Sequence, residues 1–440
     1  MTDALRTNAP SDEHLIRYGI PFAPFLIAKA RGTVIVDTEG RELLDFTSGQ
    51  MCATVGHNHP RIVAAIEAAC DGALHLFSGM LSPPVVALSK RLAAMLPPSL
   101  SKAMFLSTGG EANEAALKMA KLHSGKYEIV GFTGAWHGMT SGAQSVNYCA
   151  GREGYGPMLP GPHAIPAPNP YRCPVRHCRD ACDGTCLEVG FDLVDAQSTG
   201  SLAALIAEPV ESAGGVIVPP EGYWQKVKDH CRARGMLLIF DEAQTAFRLG
   251  RDFAFQHFGV EPDILVLSKT LGGGIPLSAV ITSEAIEADC HDKGFLHATS
   301  HVSDPLPAQV GLAVLDAIAE EGLEARAVAM GARLEAGLRH LQERYEIIGD
   351  VRGLGLLYGV ELVEDRETRV PDAAIGRAIT HRCMELGLSM NIVAIGVMAA
   401  IWRIAPPLTV SAEEIDRAIA ILDQAIGEVL AGRASKATGQ

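Results

Sequence analysis

The sequence predicts an α/β protein in which a large domain with a mostly parallel central sheet is joined to a smaller α+β domain. Short, unbroken apolar runs alternate with helical patterns through the first three quarters of the chain, and each run is followed by a polar turn. Strands that are apolar along their whole length are buried on both faces, as in a parallel sheet covered by helices. After about residue 345 this texture changes, which indicates a second domain.

The elements follow one another in the order that such a fold requires. The strand-like runs are KAMFLSTGG, YEIVGF, LAALIAEPV, GMLLIFDEAQ, PDILVLSKT and SAVITS, and the helical stretches between them include EANEAALKMAKLHSG and GYWQKVKDHCRARG. A long helical region begins near Pro305 and runs to about Tyr345. Beyond it come GDVRGLGLLYGVELVED, a helix through GRAITHRCMELG, the strand WRIAPPL and a final helix. That helix opens at Ser411 with Glu414 three residues later, which is a capping box.

These elements divide the chain into three predicted parts. Residues 1–45 form an N-terminal segment that joins the small domain, residues 46–320 form the large domain, and residues 321–440 complete the small domain. A cysteine-rich insertion lies within the large domain at about 170–190. Both chain ends therefore contribute to the smaller domain.

Charge and hydropathy exclude several kinds of partner. The 440 residues carry a formal net charge of −14, whereas binding to a phosphate backbone requires a basic surface. The N-terminus, MTDALRTNAPSDEH, has no apolar signal core. The longest nearly unbroken apolar stretch, Ile392 to Trp402, is too short to cross a bilayer. We expect a cytoplasmic protein that binds neither nucleic acid nor a membrane.

Four of the ten cysteines crowd one segment, YRCPVRHCRDACDGTC, as Cys173, Cys178, Cys182 and Cys186. Their spacings of four, three and three intervening residues match no paired CxxC zinc pattern. The segment is interpreted as a surface insertion with free thiols or one disulfide, and a structural metal clip, with or without His177, is the alternative. The other six cysteines lie in apolar or helical surroundings, which is typical of reduced packing residues.

Polar groups follow the predicted strands, where ligands bind in an open parallel sheet. STGGEANEA, Ser107 to Ala115, is a glycine turn that opens a helix, and its free N–H groups favour an anion. Asp241 and Lys269 each follow an apolar run, and Trp136 and His137 lie between two glycines. Each feature alone has a structural explanation: an ordinary glycine turn, a helix cap, an internal ion pair or an aromatic core residue.

Together, the four features fit one ligand, pyridoxal 5'-phosphate (PLP). Its phosphate would lie at the helix N-terminus and its ring would stack on Trp136. Asp241 would pair with the protonated ring nitrogen, and Lys269 would bind the aldehyde as a Schiff base. Lysine is rarely buried without a task of this kind. The lysine at the strand end is therefore predicted to be the covalent anchor and proton carrier.

The sequence resembles the class III aminotransferases, a family with the aspartate-aminotransferase-like fold (PLP fold type I). The general family motifs are STGGEANEAALKMAK, WHG, the Glu208-Pro209 pair, DEAQT and LSKTLGGGIPL. Within the family it is most similar to the 2,2-dialkylglycine decarboxylases, through LDFTSGQM, HLFSGMLS, TSHVSDPLPA, LGLSMNIV and RIAPPLTV. The resemblance covers roughly residues 15 to 430, apart from the cysteine insertion.

The resemblance implies which residues hold the cofactor. The phosphate would be held by Thr108, Gly109 and Gly110, with Ser300 reaching it from the neighbouring subunit. The ring would be held by Trp136, by Asp241 at its nitrogen and by Gln244 at its phenolic oxygen, with Lys269 as the covalent anchor.

The resemblance also implies a substrate site and a metal site. Arg403 would clamp a substrate carboxylate with its planar guanidinium, and Gln50 would bind a carboxylate that lies perpendicular to the ring. Met139 and the residue at position 213, Ala213, would line the same site. An alkali-metal site for K⁺ or Na⁺ would be formed by Leu76, Ser78, Ser300, Val302 and Asp304.

The resemblance implies a decarboxylating transaminase with ping-pong turnover. A 2,2-dialkylglycine such as 2-aminoisobutyrate has no α-proton to lose, so its productive bond cleavage releases CO₂ and leads to a ketone. Pyruvate or a similar 2-keto acid, held by Arg403, would then accept the amino group. Lys269 and Gln50 would contribute orientation and electrostatics. Active sites of the family lie between two subunits, which implies a homodimer or a homotetramer.

Three departures from the decarboxylase pattern leave other reactions open. Ala213 stands where the decarboxylases carry a serine, Glu211 replaces an apolar residue, and DEAQTAFRLGRDF lacks the usual TGxGRTG. The alternative is an ordinary class III aminotransferase or an amino-acid racemase or epimerase, in which the Cα–H bond breaks. A non-catalytic PLP-fold binding protein is a third hypothesis, and the retained Lys269, Asp241 and Arg403 argue against it.

The variant Lys269→Ala distinguishes an enzyme from a binding protein. Without the amine the cofactor has no covalent anchor and the site has no proton carrier, so both the covalently fixed cofactor absorbance and turnover should be lost, turnover by about 10³-fold or more. Absorbance spectroscopy and an amino-acid turnover assay measure the two effects. Unchanged turnover in this variant would contradict the catalytic role.

Overall fold

The computed structural model describes residues 14–390 and 396–437, and it describes side chains for residues 14–390 and 398–433. Its strands are β1 (Ile27–Arg31), β2 (Val34–Asp37), β3 (Glu42–Asp45), β4 (Lys102–Leu106), β5 (Glu128–Phe132), β6 (Pro162–Ile165), β7 (Leu202–Ala207), β8 (Leu237–Asp241), β9 (Ile264–Leu267), β10 (Ser278–Thr282), β11 (Ile348–Leu354), β12 (Leu357–Leu362), β13 (Leu388–Ser389) and β14 (Ile401–Ile404).

Thirteen helices are seen in this part of the chain. They are α1 (Ser48–Met51), a single irregular turn, α2 (Pro60–Cys70), α3 (Pro83–Met95), α4 (Gly109–Ser124), α5 (Ser141–Ser145), α6 (Thr185–Gln197), α7 (Tyr223–Arg234), α8 (Phe255–Phe258), α9 (Glu284–Asp292), α10 (Pro305–Glu320), α11 (Leu323–Arg344), α12 (Ala373–Glu385) and α13 (Ala412–Ala437). Short 3₁₀ turns are formed by Arg176–Cys178, Lys269–Gly272 and Gly396–Ala399.

The central sheet has seven strands in the order β4-β10-β9-β8-β7-β5-β6. The neighbours from β6 to β9 all pair in parallel, while β10 runs antiparallel to both β9 and β4. The predicted mostly parallel sheet is therefore confirmed. One antiparallel strand near the edge interrupts it.

The five inner strands of this sheet are buried on both faces, because their side chains alternate between two layers of helices. In β8, Leu238 and Phe240 belong to one hydrophobic cluster, and Ile239 belongs to a second cluster on the opposite face. The second cluster also contains the small residues of α4, among them Ala112 and Ala116. Alternation of this kind explains why the sequence shows continuous apolar runs rather than an apolar-polar alternation.

Two smaller sheets are built from the remaining strands. One has the order β11-β12-β14, and the other has the order β1-β2-β3-β13. In the second sheet, Leu388 of β13 pairs in parallel with Leu44 of β3, so segments from both halves of the chain share one sheet. The domain limits proposed from the sequence stay a prediction. Residues 1–13 and the end of the LGLSMNIV motif, residues 391–393, lie outside the described residues.

The long helical region predicted from Pro305 to Tyr345 is two helices, α10 and α11. They are separated at Gly322, whose φ of +60° lies in the left-handed region that glycine adopts without strain. The predicted capping box of α13 is confirmed, because Glu414 accepts the Ser411 N–H at 2.7 Å and Ser411 accepts the Glu414 N–H at 3.1 Å. In the described part of the chain, no helix has the length and apolar character needed to span a bilayer.

Glu242 closes the loop that leads from β8 to α8. Its carboxylate oxygens accept the N–H groups of Ala254 at 2.6 Å and Phe255 at 2.9 Å. Burial raises the pKa of Glu242 to about 7, although hydrogen bonds from Ala254, Phe255 and Thr245 act to lower it. The buried carboxyl gives this loop a fixed anchor.

The stability of the protein should fall between pH 5 and pH 8 in a way that depends on Glu242. A carboxyl whose pKa is raised from 4.5 to about 7 binds its proton more tightly in the native state. Its contribution to the free energy of unfolding is therefore greatest below pH 4.5 and is lost as the pH rises through 7. The effect of this one group is roughly 3 kcal/mol. Glu242→Gln should be less stable at every pH, since the two N–H groups donate to different oxygens and the amide replaces one of these with an NH₂ group. Its unfolding free energy should vary less with pH.

Urea unfolding at pH 5 and pH 8 measures the two slopes. Glu221→Gln, which changes an exposed carboxyl, serves as the control and should keep the wild-type slope. Identical slopes for wild type and Glu242→Gln would contradict the prediction.

Candidate active site

Two cavities meet at Trp136 and Lys269, where the parallel strands end. The first cavity, of about 310 Å³, is also lined by the turn 107–110, Asp241 and Ser268. The second cavity, of about 680 Å³, is also lined by Gln50, Met139, Ala213, Gln244 and Arg403. The structure therefore brings together every predicted catalytic, cofactor and substrate residue except Ser300.

The turn 107–110 joins β4 to α4 and presents the start of the helix to the first cavity. Thr108 is the N-cap, and its hydroxyl accepts the Glu111 N–H at 3.3 Å. Gly110 and Gly138 approach so closely that a Cβ atom on Gly138 would lie 2.4 Å from the Gly110 Cα. The first N–H groups of a helix lack intrahelical acceptors, and the helix dipole favours negative charge there. The turn fits a phosphate group.

Asp241 is the last residue of β8 and is 3 % exposed. Its Oδ2 accepts hydrogen bonds from Asn113 Nδ2 at 2.7 Å and from His137 Nδ1 at 2.8 Å, and its Oδ1 accepts the Ala243 N–H at 3.0 Å. Burial acts to raise the pKa of Asp241, but the bond and charge of His137 and the charge of Lys269 outweigh it and lower the pKa. The first cavity thus contains a fixed negative charge.

Asn113 and His137 are site residues that the sequence did not identify as such. The sequence places His137 beside Trp136 between two glycines, and the structure makes its ring a hydrogen-bond partner of Asp241. Asn113 also donates to the His137 carbonyl at 2.7 Å. The available signal was an asparagine among the alanines that form the buried face of α4, since a buried amide requires partners.

Lys269 lies two residues beyond the end of β9, where a 3₁₀ turn begins. Its φ of +30° is uncommon for a residue with a side chain and is a strained conformation. The turn is held in place by the bond from the Leu271 N–H to the Ser268 carbonyl at 2.9 Å. This backbone places the lysine on the wall of both cavities.

The residues of the first cavity fit PLP. A helix N-terminus suits the phosphate, an ionised and buried Asp241 suits a protonated ring nitrogen, and Lys269 is the amine that an aldehyde requires. The half-buried Trp136 offers an indole beside them. These four groups converge on one cavity, as the sequence predicted from the strand ends.

Arg403 lies in β14 opposite Gly359 of β12 and lines the second cavity. Its guanidinium donates to Gln244 Oε1 at 3.0 Å, and the Ser212 hydroxyl donates to the same oxygen at 2.9 Å. With Oε1 accepting both bonds, the amide nitrogen of Gln244 is the donor that a phenolic oxygen would require. Burial lowers the pKa of Arg403, and the charge of Glu208 opposes that shift.

Gln50 lies in an irregular turn that is organised by Asp45. The Asp45 carboxylate accepts the N–H groups of Thr47, at 2.9 Å, and of Gly49, and it contacts His57 Nε2 at 2.7 Å. The residues on either side of Gln50 have positive φ values, 64° for Gly49 and 62° for the non-glycine Met51. The buried carboxylate is what stabilises this backbone, so it sets the position of the exposed Gln50.

The buried guanidinium of Arg248 connects, through hydrogen bonds, the chain after the Gln50 turn to the chain that follows Arg403. Its guanidinium donates to the Pro406 carbonyl at 2.8 Å and to the Thr54 hydroxyl at 3.3 Å. Burial lowers the pKa of Arg248 to about 10. The sequence pattern does not predict this role for Arg248.

Two buried carboxyls, Glu208 and Glu211, lie beside the second cavity. Glu208 accepts the backbone N–H groups of Trp136, Ser212 and Ala213, and burial raises its pKa to about 7. Neither side-chain oxygen of Glu211 has a hydrogen-bond partner among the described residues. Burial and the charge of Glu208 raise the pKa of Glu211 well above its ordinary value, although Arg352 lowers it.

The predicted metal site lies apart from the two cavities. None of Leu76, Ser78, Ser300, Val302 and Asp304 lines either cavity in the described part of the chain. The Asp304 carboxylate contacts His75 Nδ1 at 2.7 Å and His301 Nδ1 at 2.6 Å. The alkali-metal set and the contribution of Ser300 to a neighbouring subunit stay predictions.

Comparisons with known proteins agree on one family. The family model described as "Aminotransferase class-III" matches residues 19–426. An uncharacterized aminotransferase of Schizosaccharomyces pombe is 49% identical over 418 residues, which covers 94% of this chain and 93% of the relative. A leucine/methionine racemase of Thermococcus litoralis is 35% identical, and the alignment covers 94% of this chain and 93% of that protein.

A solved structure is similar over the whole fold. An amine transaminase from an uncultivated Pseudomonas species, in its PLP-bound form, superimposes with a TM-score of 0.88 at 32% identity. The superposition covers 96% of this chain and 100% of the transaminase.

Replacement of Asp45 by asparagine should reduce turnover because Asp45 is a positioning residue for Gln50. An amide accepts fewer N–H bonds than a carboxylate, so the Gln50 turn loosens and kcat/KM should fall about tenfold, or ~1.4 kcal/mol. Steady-state kinetics and thermal unfolding measure the two consequences. Asp37→Asn is a matched control, since Asp37 also closes a turn by accepting the Glu39 and Arg41 N–H groups. An equal loss of kcat/KM in both variants would contradict the positioning role.

Proposed function

Because this chain belongs to the class III aminotransferase family and is a PLP-dependent enzyme, we propose that it transfers the amino group of an α-amino acid to a 2-keto acid. The observation that carries the proposal is that Lys269 and Arg403 line one cavity. An amine that exchanges protons and a guanidinium that binds a carboxylate are what both half-reactions require.

Arg403 would recognise the carboxylate that amino acids and 2-keto acids share. Its position is fixed from two sides, by the pairing of β14 with β12 and by the bond to Gln244. A planar guanidinium held in this way binds a carboxylate through two parallel hydrogen bonds, which a lysine cannot do. The fixed fork therefore favours substrates with a carboxylate next to the reacting carbon.

The other side chains of the site would hold charge and move a proton. Bound PLP supplies the electron sink for the bond that breaks at the substrate Cα. Asp241 would keep a positive charge on the ring nitrogen, because its carboxylate stays ionised despite burial. The Lys269 amine would move the proton at the reacting carbon, since it lies on the wall of both cavities.

Decarboxylation of a 2,2-dialkylglycine is the more specific proposal for the donor half-reaction. It is supported by Gln50, which lines the second cavity with Lys269 and Arg403. The Gln50 amide can donate a hydrogen bond to a substrate carboxylate that is oriented differently from one bound by Arg403. Ala213 also lines this cavity in place of the serine of the decarboxylases. An ordinary amino transfer or a racemisation, in which the Cα–H bond breaks, is the second candidate. Two relatives favour racemisation: the leucine/methionine racemase and an alanine/serine racemase of Pyrococcus horikoshii, which is 32% identical.

A single-turnover experiment separates these reactions. The PLP-loaded protein is mixed with 2-aminoisobutyrate or L-alanine in potassium buffer, while CO₂ and the cofactor absorbance are followed, and pyruvate is then added. CO₂ release from 2-aminoisobutyrate, with the absorbance restored by pyruvate, would support decarboxylating transfer. Bleaching by L-alanine without CO₂ from 2-aminoisobutyrate would support ordinary amino transfer, and formation of D-alanine without pyruvate would support a racemase.

Variants of Arg403 test the carboxylate clamp. Arg403→Lys keeps the charge but loses the fork, so KM for the 2-keto acid should rise about tenfold or more, with a smaller change in kcat. Wild-type KM values in Arg403→Lys would contradict the proposed clamp.

Gln50→Ala should reduce CO₂ release from 2-aminoisobutyrate more than amino transfer from L-alanine if Gln50 orients the leaving carboxylate.

A further inference from the structure

We propose that Cys173, Cys178, Cys182 and Cys186 bind one zinc ion, which fixes the insertion between β6 and α6 as a structural element. The proposed site is separate from both active-site cavities. It is inferred from the positions of the four sulfurs and from the contacts of the segment around them.

Three of the sulfurs already lie together. The Sγ atoms of Cys173, Cys178 and Cys186 all lie within 4.8 Å of one another, and each of these residues is at most 1 % exposed. Val175 packs against them, so the surroundings are apolar. A group of thiols enclosed in this way forms few strong hydrogen bonds, whereas a bound dication would satisfy several sulfurs at once.

The fourth sulfur lies beside one of these three, at the separation that a tetrahedral zinc site requires of a pair of sulfurs. Four sulfurs at the usual Zn–S distance of about 2.3 Å are separated from one another by roughly 3.8 Å. Cys182 Sγ lies 3.8 Å from Cys186 Sγ. A disulfide would bring two sulfurs to about 2.05 Å, and all the described cysteines are free thiols. The disulfide considered from the sequence is therefore not formed here.

Local backbone structure explains why spacings of four, three and three residues converge. Cys178 ends the 3₁₀ turn Arg176–Cys178, and Cys186 is the second residue of α6. Between them, Asp180 and Gly184 have φ values of 69° and 92°, which reverse the chain. Three sulfurs thus meet, with that of Cys182 beside Cys186, through two turns and a helix start rather than through paired CxxC loops.

The buried cysteines are favoured over a site that includes His177. His177, Cys178 and Asp183 also lie close together, but the side chains of His177 and Asp183 are each 60 % exposed. Exposed acidic and imidazole groups remain well solvated without a metal, whereas the enclosed thiols do not. The alternative of a clip that includes His177 is therefore not the one that the geometry favours.

The insertion contacts the sheet that carries Arg403. Arg172, which precedes the first cysteine, pairs with Glu361 of β12 and donates to the Arg369 carbonyl at 2.6 Å. Arg369 in turn pairs with Asp180, between the cysteines, at 2.8 Å. Glu361 lies opposite Ile401 of β14, two residues before Arg403. Zinc at the four sulfurs would hold the insertion rigid, and with it the ion pairs that support this sheet.

Elemental analysis of the full-length, PLP-loaded protein, purified without chelators, tests the site. We expect about one zinc per chain, released on titration with a mercurial thiol reagent. Cys178→Ser and Cys186→Ser should each retain less than about 0.2 zinc per chain and unfold at least about 5 °C lower than wild type. Cys290→Ser is the matched control, because Cys290 is a buried free thiol outside the insertion, and it should keep the zinc.

A second measurement keeps the test decisive if the serine variants do not fold. Cobalt is exchanged into the wild-type protein under reducing conditions, and the difference spectrum against the zinc protein is recorded. Thiolate-to-cobalt charge transfer together with tetrahedral visible bands is the expected result. Three results would overturn the proposal: no metal and no cobalt uptake, iron instead of zinc, or a disulfide between Cys182 and Cys186 in the native protein. Zinc retained by folded Cys178→Ser and Cys186→Ser would overturn it as well.

Discussion

The hydrogen bonds that converge on Asp241 join three separate parts of the chain at one carboxylate. Asn113 comes from α4, His137 from the loop after β5, and Asp241 itself from the end of β8. A buried carboxylate left without partners would cost several kcal/mol, so these elements are constrained to meet where their side chains do. The phosphate-binding turn begins α4, and the loop of His137 also carries Trp136. The Asp241 carboxylate therefore sets the positions of the groups that would bind the phosphate, the ring nitrogen and the ring face of the cofactor.

The neighbouring carboxyls of Glu208 and Glu242 differ from Asp241 in the direction of their pKa shifts. Glu208 and Glu242 are buried at the ends of adjacent strands, and burial together with the charge of Asp241 raises the pKa of each to about 7. Of the three, Asp241 alone has a lowered pKa, because the hydrogen bond from His137, together with the charges of His137 and Lys269, outweighs its burial. Of the three carboxyls, one is therefore the resident anion, and the others serve as hydrogen-bond anchors for backbone N–H groups.

Features within one short stretch of chain were predictable, and features that join distant stretches were not. The parallel strands, the lysine and aspartate at their ends and the glycine turn could all be predicted, because each is a local pattern. The partners of Asp241 could not, since Asn113 and His137 lie 128 and 104 residues away from it. The spacing of the cysteines left a metal clip as an alternative only, because turn geometry rather than spacing brings the sulfurs of Cys173, Cys178 and Cys186 together. The site predicted between subunits at Ser300 requires a second chain.

The antiparallel strand of the central sheet has a consequence for how the protein is made. β4, which leads into the phosphate turn, lies at the sheet edge and pairs only with β10 in the described part of the chain. The Ser278 hydroxyl of β10 also donates to the Thr108 carbonyl, across 170 residues of sequence, at 2.8 Å. A chain emerging from the ribosome therefore cannot complete this turn until β10 has been synthesised. At about 5–20 residues per second, that leaves a cofactor-incompetent nascent chain for on the order of ten seconds.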